Sequence, residues 1–318
     1  MVLAQSAGGT DFWRWVPHPE VWLLVGGLIG LYVYAARTIG PKAVPAGTPP
    51  ISPSQRRWFV AGIVLLWLAA DWPMHDVGEQ YLYSLHMLQH TLLTFVVPPI
   101  LLMATPEWLA RLVLGRGRFK RIVFRLARPV PAALMFNGLA LISHWQAFVN
   151  LASENGLFHY GVHTAMVFTA FMLWIPVCGP FPELRLAPVS QMLYLFITSI
   201  VPTVPAGWLV FADGAVYSTY DIPERLWGVS VTSDQQAAGA IMKLGGGVLL
   251  WVIITTIFFR WAGAQHRDRS TPPPRRGAAA PATTRPSADE PALAVVGADD
   301  PATWDQVQSA RREPSSGG

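Results

Sequence analysis

The chain has 318 residues, 52% of them hydrophobic and 13% charged, with 14 Trp and a single Cys. Soluble domains average about 25% charged residues, and 14 of the 42 charges here fall after residue 265. What remains cannot solvate a globular body, so a soluble enzyme, a disulfide scaffold and a nucleic-acid binder are all poor fits.

In chain order, apolar stretches run over Val21–Ala36, Trp58–Ala70, Tyr81–Ala104, Val130–Leu151, Leu157–Cys178, Pro188–Ala212 and Gln236–Phe259. These predict an all-α polytopic membrane protein, a bundle of seven transmembrane helices over residues 1–265. Crossing a hydrocarbon core of about 30 Å takes about 20 helical residues. The second stretch is short: Arg57 to Asp71 spans about 21 Å at the helical rise. Either Arg57 reaches outward or Asp71 sits inside the membrane. No cleavable leader is expected before the first span. After it come Arg37, Lys42, Arg56 and Arg57; Arg111 to Arg128 follow the third span, Arg185 the fifth, and eight more bases the seventh. That places 20 of the 23 bases on one side, against Arg14 and Arg225, with Lys243 inside the last span. The positive-inside bias predicts an N-terminus outside and a C-terminus inside. The pI near 9.4 is therefore a topology signal, and no nucleic-acid partner is expected. Acids including Asp71, Asp76, Glu79, Asp221 and Asp234 collect on the opposite side, a field that favours cations. Residues 266–318, rich in Pro, Ala and Ser, are expected to be a disordered cytoplasmic tail.

Six of the eight histidines gather at one depth. His86 and His90 fall about 7 and 13 Å below the outer end of the third span, and His144 about 9 Å from that of the fourth. His159 and His163 occupy the first two turns of the fifth, and His75 follows the second, with Asp76, in the outer loop. The two HxxxH pairs each share a helix face at i and i+4. A single such pair is ordinarily structural, bonding neighbouring helices, but imidazoles from four segments at one depth point to a bundle-core metal site. His86, His90, His159, His163, His144 and His75 are the candidate ligands. Met87, Met166 and Met242 are secondary candidates, and thioethers beside imidazoles favour copper, Cu(I) in particular. Asp71 and Asp76 stand nearby as supporting acids, and Lys243 is expected to pair with Asp71 or another outer acid. A bis-His haem protein, pairing His86 or His90 with His159 or His163, has the same spacing. A membrane di-iron oxidoreductase is a poorer fit, because no HxxHH box is present; HMLQH also lacks the Glu of a zincin.

The run HMLQHTLLTFVVPPILLMATPEW (86–108), the FHYGVH segment with its following LWIPV, and TSDQQAAGAIM (232–242) resemble the multi-span cytochrome c oxidase assembly factors of CtaG type, which are similar to the CopD-type copper-resistance membrane domain. The resemblance covers residues 20–260 and supports His86, His90, His159, His163 and the Asp234–Met242 segment. It implies a non-enzymatic factor in a bacterial plasma membrane that helps build a haem–copper oxidase subunit at its copper stage. Copper would come from an extracytoplasmic carrier or leave by transport; membrane lipid is the other expected partner.

Overall fold

The computed structural model describes residues 13–270, all-helical with no strand among them. In chain order the helices are α1 (Pro19–Ala43), α2 (Pro53–Gln80), α3 (Tyr83–Ala104), α4 (Glu107–Leu114), α5 (Arg118–Leu126), α6 (Pro129–Ser143), α7 (Gln146–Glu154), α8 (Gly156–Cys178), α9 (Pro188–Val210) and α10 (Val231–Arg267). Six of these, α1, α2, α3, α8, α9 and α10, are long and apolar enough to cross a membrane. The expected fourth span, Val130–Leu151, is not one helix. α6 stops at Ser143, where His144 takes φ −96° and ψ 0°, and α7 starts afresh. Its 15 residues reach about 22 Å, short of a full hydrocarbon core. It is bent by 73° from α5, and the two together make a broken seventh candidate.

The second span is longer than its apolar stretch suggested. Asp71 ends the first part of α2, and Met74–Gln80 adds a short helix beyond it. Asp71 is buried with no ion pair among the described residues: the Trp22 and Trp67 indoles donate to Oδ2 at 2.8 and 2.6 Å, and the Trp72 amide to Oδ1. Charge-assisted bonds of this kind offset the cost of burying a carboxylate.

Prolines shape the middle of α3. Pro98 has no N–H to give Thr94, so that carbonyl is freed from the helical ladder. A wide π turn, Leu92–Val96, precedes the prolines, and the Trp174 indole of α8 donates to the Thr94 carbonyl at 2.9 Å. The VVPP and LWIPV segments are thus one matched device: one breaks the ladder and the other caps the break. Around it Phe95, Phe136, Leu173, Leu195 and Leu250 form the main core. At the other end of α9 and α10, a Cβ on Gly239 would lie 2.7 Å from the Ala206 carbonyl oxygen. Only glycine permits that approach.

α10 runs on through Arg267, past the expected boundary at residue 265. The rest of the expected tail, residues 271–318, lies outside the described residues.

Candidate metal centre

Three helix starts bring the site together. α3 begins at Tyr83 with no cap from its own Leu82. Its orphan amides are taken by Asp234, from the first turn of α10, which accepts from the Tyr83 and Ser84 N–H groups at 2.7 and 3.1 Å. A carboxylate there satisfies the end donors and the helix dipole at once. The next residue, Gln235, accepts from the Val216 and Tyr217 amides and donates to the Tyr217 carbonyl. The Tyr217 hydroxyl in turn donates to the His144 carbonyl at 2.7 Å. The TSDQQ segment is therefore a positioning device for α3 and for the His144 turn. α8 is started by Asn155, whose Oδ1 accepts from the Phe158 amide. That start sets His159 and His163 on the first two turns, facing α3.

Four side chains converge: Glu79, His86, His159 and His163 offer ligand atoms that all lie within 4.8 Å of one another. Glu79 Oε1 and His159 Nε2 pair at 2.8 Å. His86 Nδ1 and His163 Nε2 are buried without a hydrogen-bond partner. Buried polar atoms are ordinarily satisfied, so two unsatisfied imidazole nitrogens beside that pair are what a cation would relieve. Three imidazoles and one carboxylate are a competent donor set for copper or another borderline ion. The adjoining cavity, lined by His86, His90, His144, His159 and His163, holds about 50 Å³. That is room for an ion or a few waters.

Of the expected ligands, His86, His159 and His163 belong to this set. His90 touches it, its Nε2 lying 3.0 Å from His86 Nε2. His75 and His144 do not join it. His75 is not in a loop but buried in the short helix of α2, with Nδ1 3.2 Å from Gln89 Nε2 and 3.4 Å from Glu79 Oε1. Its Nδ1 accepts from the Gln89 amide, so it stands behind the carboxylate without donating to it. His144 instead faces Met87, with Nε2 3.4 Å from Sδ. Met87, Met166 and Met242 line a second cavity, which shares Met87, His90 and His144 with the first.

Glu79 was missed as a ligand because it read as one outer acid among many. The usable signal was its i, i+4 spacing from His75, which puts both on one helical face. Gly78 lets that helix descend: a Cβ there would lie 3.0 Å from the His86 amide nitrogen. His18 was also missed. Its ring nitrogens lie 2.9 Å from Asp76 Oδ2 and 3.0 Å from Glu20 Oε1, and its ring meets His75 edge-on. Burial pushes the His18 imidazole down, and the bonds to Asp76 and Glu20 outweigh it, so its pKa is raised. Asp76 therefore serves His18 rather than the centre. Among the described residues Lys243 pairs with no acid: it donates to Thr203 Oγ1 at 2.6 Å and to the Ser199 carbonyl at 3.4 Å. The Val201–Pro202 break in α9 interrupts the ladder there, and a lysine supplies the missing donor.

Three of the four haem pairings have their rings in contact here. His90 and His163 stand 4.5 Å apart by ring centroid, and His86 lies 5.7 Å from His159 and 5.3 Å from His163, so no macrocycle lies between the members of these pairs as they stand.

No curated protein and no solved structure matches the chain. The family model for the cytochrome c oxidase caa3 assembly factor matches residues 30–264, which takes in every residue of the candidate centre and its supports. The chain belongs to the cytochrome c oxidase caa3 assembly factor family.

Proposed function

We propose that this protein is a non-enzymatic assembly factor that holds copper for a haem–copper oxidase subunit. The observation that carries the copper reading is the convergence of Glu79, His86, His159 and His163, with His86 Nδ1 and His163 Nε2 left without a partner. In an apolar bundle such atoms cost free energy unless an ion takes them up. Three imidazoles suffice for Cu(I), and the carboxylate adds the harder ligand that Cu(II) uses. The centre lies at the end of the bundle opposite the bases of α4 and α5. With 20 of 23 bases on one side, the reading is a seven-crossing protein of a bacterial plasma membrane, N-terminus outside, with α5 and α6 completing the fourth crossing. The centre then faces the side from which an extracytoplasmic carrier would bring copper.

The experiment is a deletion strain complemented with wild type or with His86→Ala/His163→Ala. Without the protein, cells should contain oxidase polypeptides and haem but a copper-deficient catalytic subunit. The double variant should accumulate in the membrane and leave that defect in place. Fully metallated oxidase in the deletion strain would overturn the assembly role; full rescue by the variant would overturn the copper role. Labelling of Arg118→Cys from outside intact cells, in a Cys178→Ser background, would overturn the orientation.

A further inference from the structure

α3 presents a second, chemically different face to a second cavity. Met87 lies one residue beyond His86, about 100° around the helix, and lines both this cavity and the one beside the histidine–glutamate set. The second cavity is about 50 Å³ and is lined by Met87, Met166 and Met242 with His90 and His144, together with Thr91, Thr94 and aromatic and aliphatic carbon. No carboxylate lines it. Met87 and Met166 are buried.

The facing of His144 and Met87 is unusual. His144 Nδ1 lies 2.6 Å from the Ala140 carbonyl oxygen. A carbonyl cannot donate, so Nδ1 carries the proton and Nε2 is left with its lone pair. That lone pair faces the Met87 sulfur, 3.4 Å away, which is itself only an acceptor. Two acceptors therefore meet with no proton between them. An ion about 2.0 Å from the nitrogen and about 2.3 Å from the sulfur, ordinary lengths for such ligands, would bridge them at an angle of about 100°.

We propose that this thioether chamber is a second ion site, selective for a soft monovalent cation of the Cu(I) class and separate from the histidine–glutamate centre. It rests on the copper reading above for the identity of the cargo. Soft, neutral ligands select Cu(I). A chamber without a carboxylate also discriminates by charge, because an uncompensated divalent ion costs more to bury than a monovalent one. Met87, His90 and His144 line both cavities, and His90 Nε2 lies 3.0 Å from His86 Nε2, so an ion can pass between the sites by exchanging one ligand for the next.

The test uses the purified full-length chain and Ag(I), a redox-inert soft monovalent ion. Metal analysis after gel filtration gives the stoichiometry, and X-ray absorption gives the ligand atoms. Wild type should retain two Ag(I), one of them sulfur-ligated. Met87→Leu/Met166→Leu/Met242→Leu keeps volume and polarity close to native and should retain one, with no sulfur scattering. His86→Ala/His163→Ala should keep the sulfur-bound ion. Should the triple variant not elute as a folded species, single Met87→Leu must still weaken Ag(I) retention by about tenfold, a usual cost of disturbing a metal site. Two ions retained by the triple variant, or no sulfur ligation in wild type, would overturn the chamber. One sulfur-bound ion in wild type, unchanged in the histidine variant, would support the chamber and overturn the histidine–glutamate centre instead.

Discussion

The two halves of α3 solve the same problem in opposite ways. Toward its C-terminal end, Pro98 frees the Thr94 carbonyl, and Trp174 reaches across from α8 to cap it. The Thr91 and Thr94 hydroxyls donate back to the Met87 and His90 carbonyls, so the backbone there is supported from within. Toward its N-terminal end, polar atoms are brought together and left open: His86 Nδ1, Gln89 Oε1 and His163 Nε2 have no hydrogen-bond partner, beside a Glu79–His159 pair at 2.8 Å. One chain that satisfies a proline-freed carbonyl so directly is capable of satisfying imidazoles too. That it does not do so around His86 marks that end as a place for a ligand rather than for bundle cohesion.

The largest effect should come from emptying the open end. His86→Ala/His163→Ala should lower copper affinity at least about 100-fold, the upper range for losing even an outer-shell partner, with little change in melting temperature. Competition titration and thermal denaturation in the same detergent would measure both. A large loss of thermal stability with copper affinity kept would mean the histidines hold the bundle together and would erase the contrast.

At the closed half the pattern should invert. Trp174→Phe keeps a ring but leaves the Thr94 carbonyl unpaired, which costs about 1–3 kcal/mol. Melting should fall while copper affinity stays within a factor of about two. An unchanged melting temperature would show that the proline break is tolerated without its cap.

Between these lies Asp234→Asn, which weakens the cap on α3 without touching the centre. Loss of a helix cap costs about 1 kcal/mol, and here the frayed turn is the one leading into His86. Both stability and copper affinity should fall modestly, the latter with unchanged ligand atoms by X-ray absorption. The smallest effect belongs to Lys243→Met, which removes a donor to Thr203 and Ser199. It should cost at most about 1 kcal/mol of stability and leave copper untouched; a loss of copper would tie α9 to the site.

Much of this was legible from local pattern. Apolar stretches separated by bases, and histidines at i and i+4, are properties of one helix at a time. The clustering of His86, His90, His159 and His163 followed from depth alone. The fourth span was misjudged because an apolar run does not reveal a turn: nothing in the hydrophobicity around His144 separates a long helix from two short ones meeting at it. His75 was read as a loop residue for a related reason, since α2 resumes only after Pro73.

The sequence by itself determined which segments are helical and apolar, which end of each helix carries imidazole, and on which side the bases lie. These depend on hydrophobicity, on the 3.6-residue period and on charge, all local to the chain. Tertiary structure alone decided that Glu79 joins His86, His159 and His163, that Met87 and His144 face each other instead, and that Lys243 serves a broken helix. Those outcomes depend on how far each helix is rotated about its own axis and how closely its neighbours approach. That rotation is set by contacts such as Asp234 on the start of α3 and Trp174 on Thr94, between residues 151 and 80 positions apart. No local period encodes such contacts, because they arise only when the helices pack.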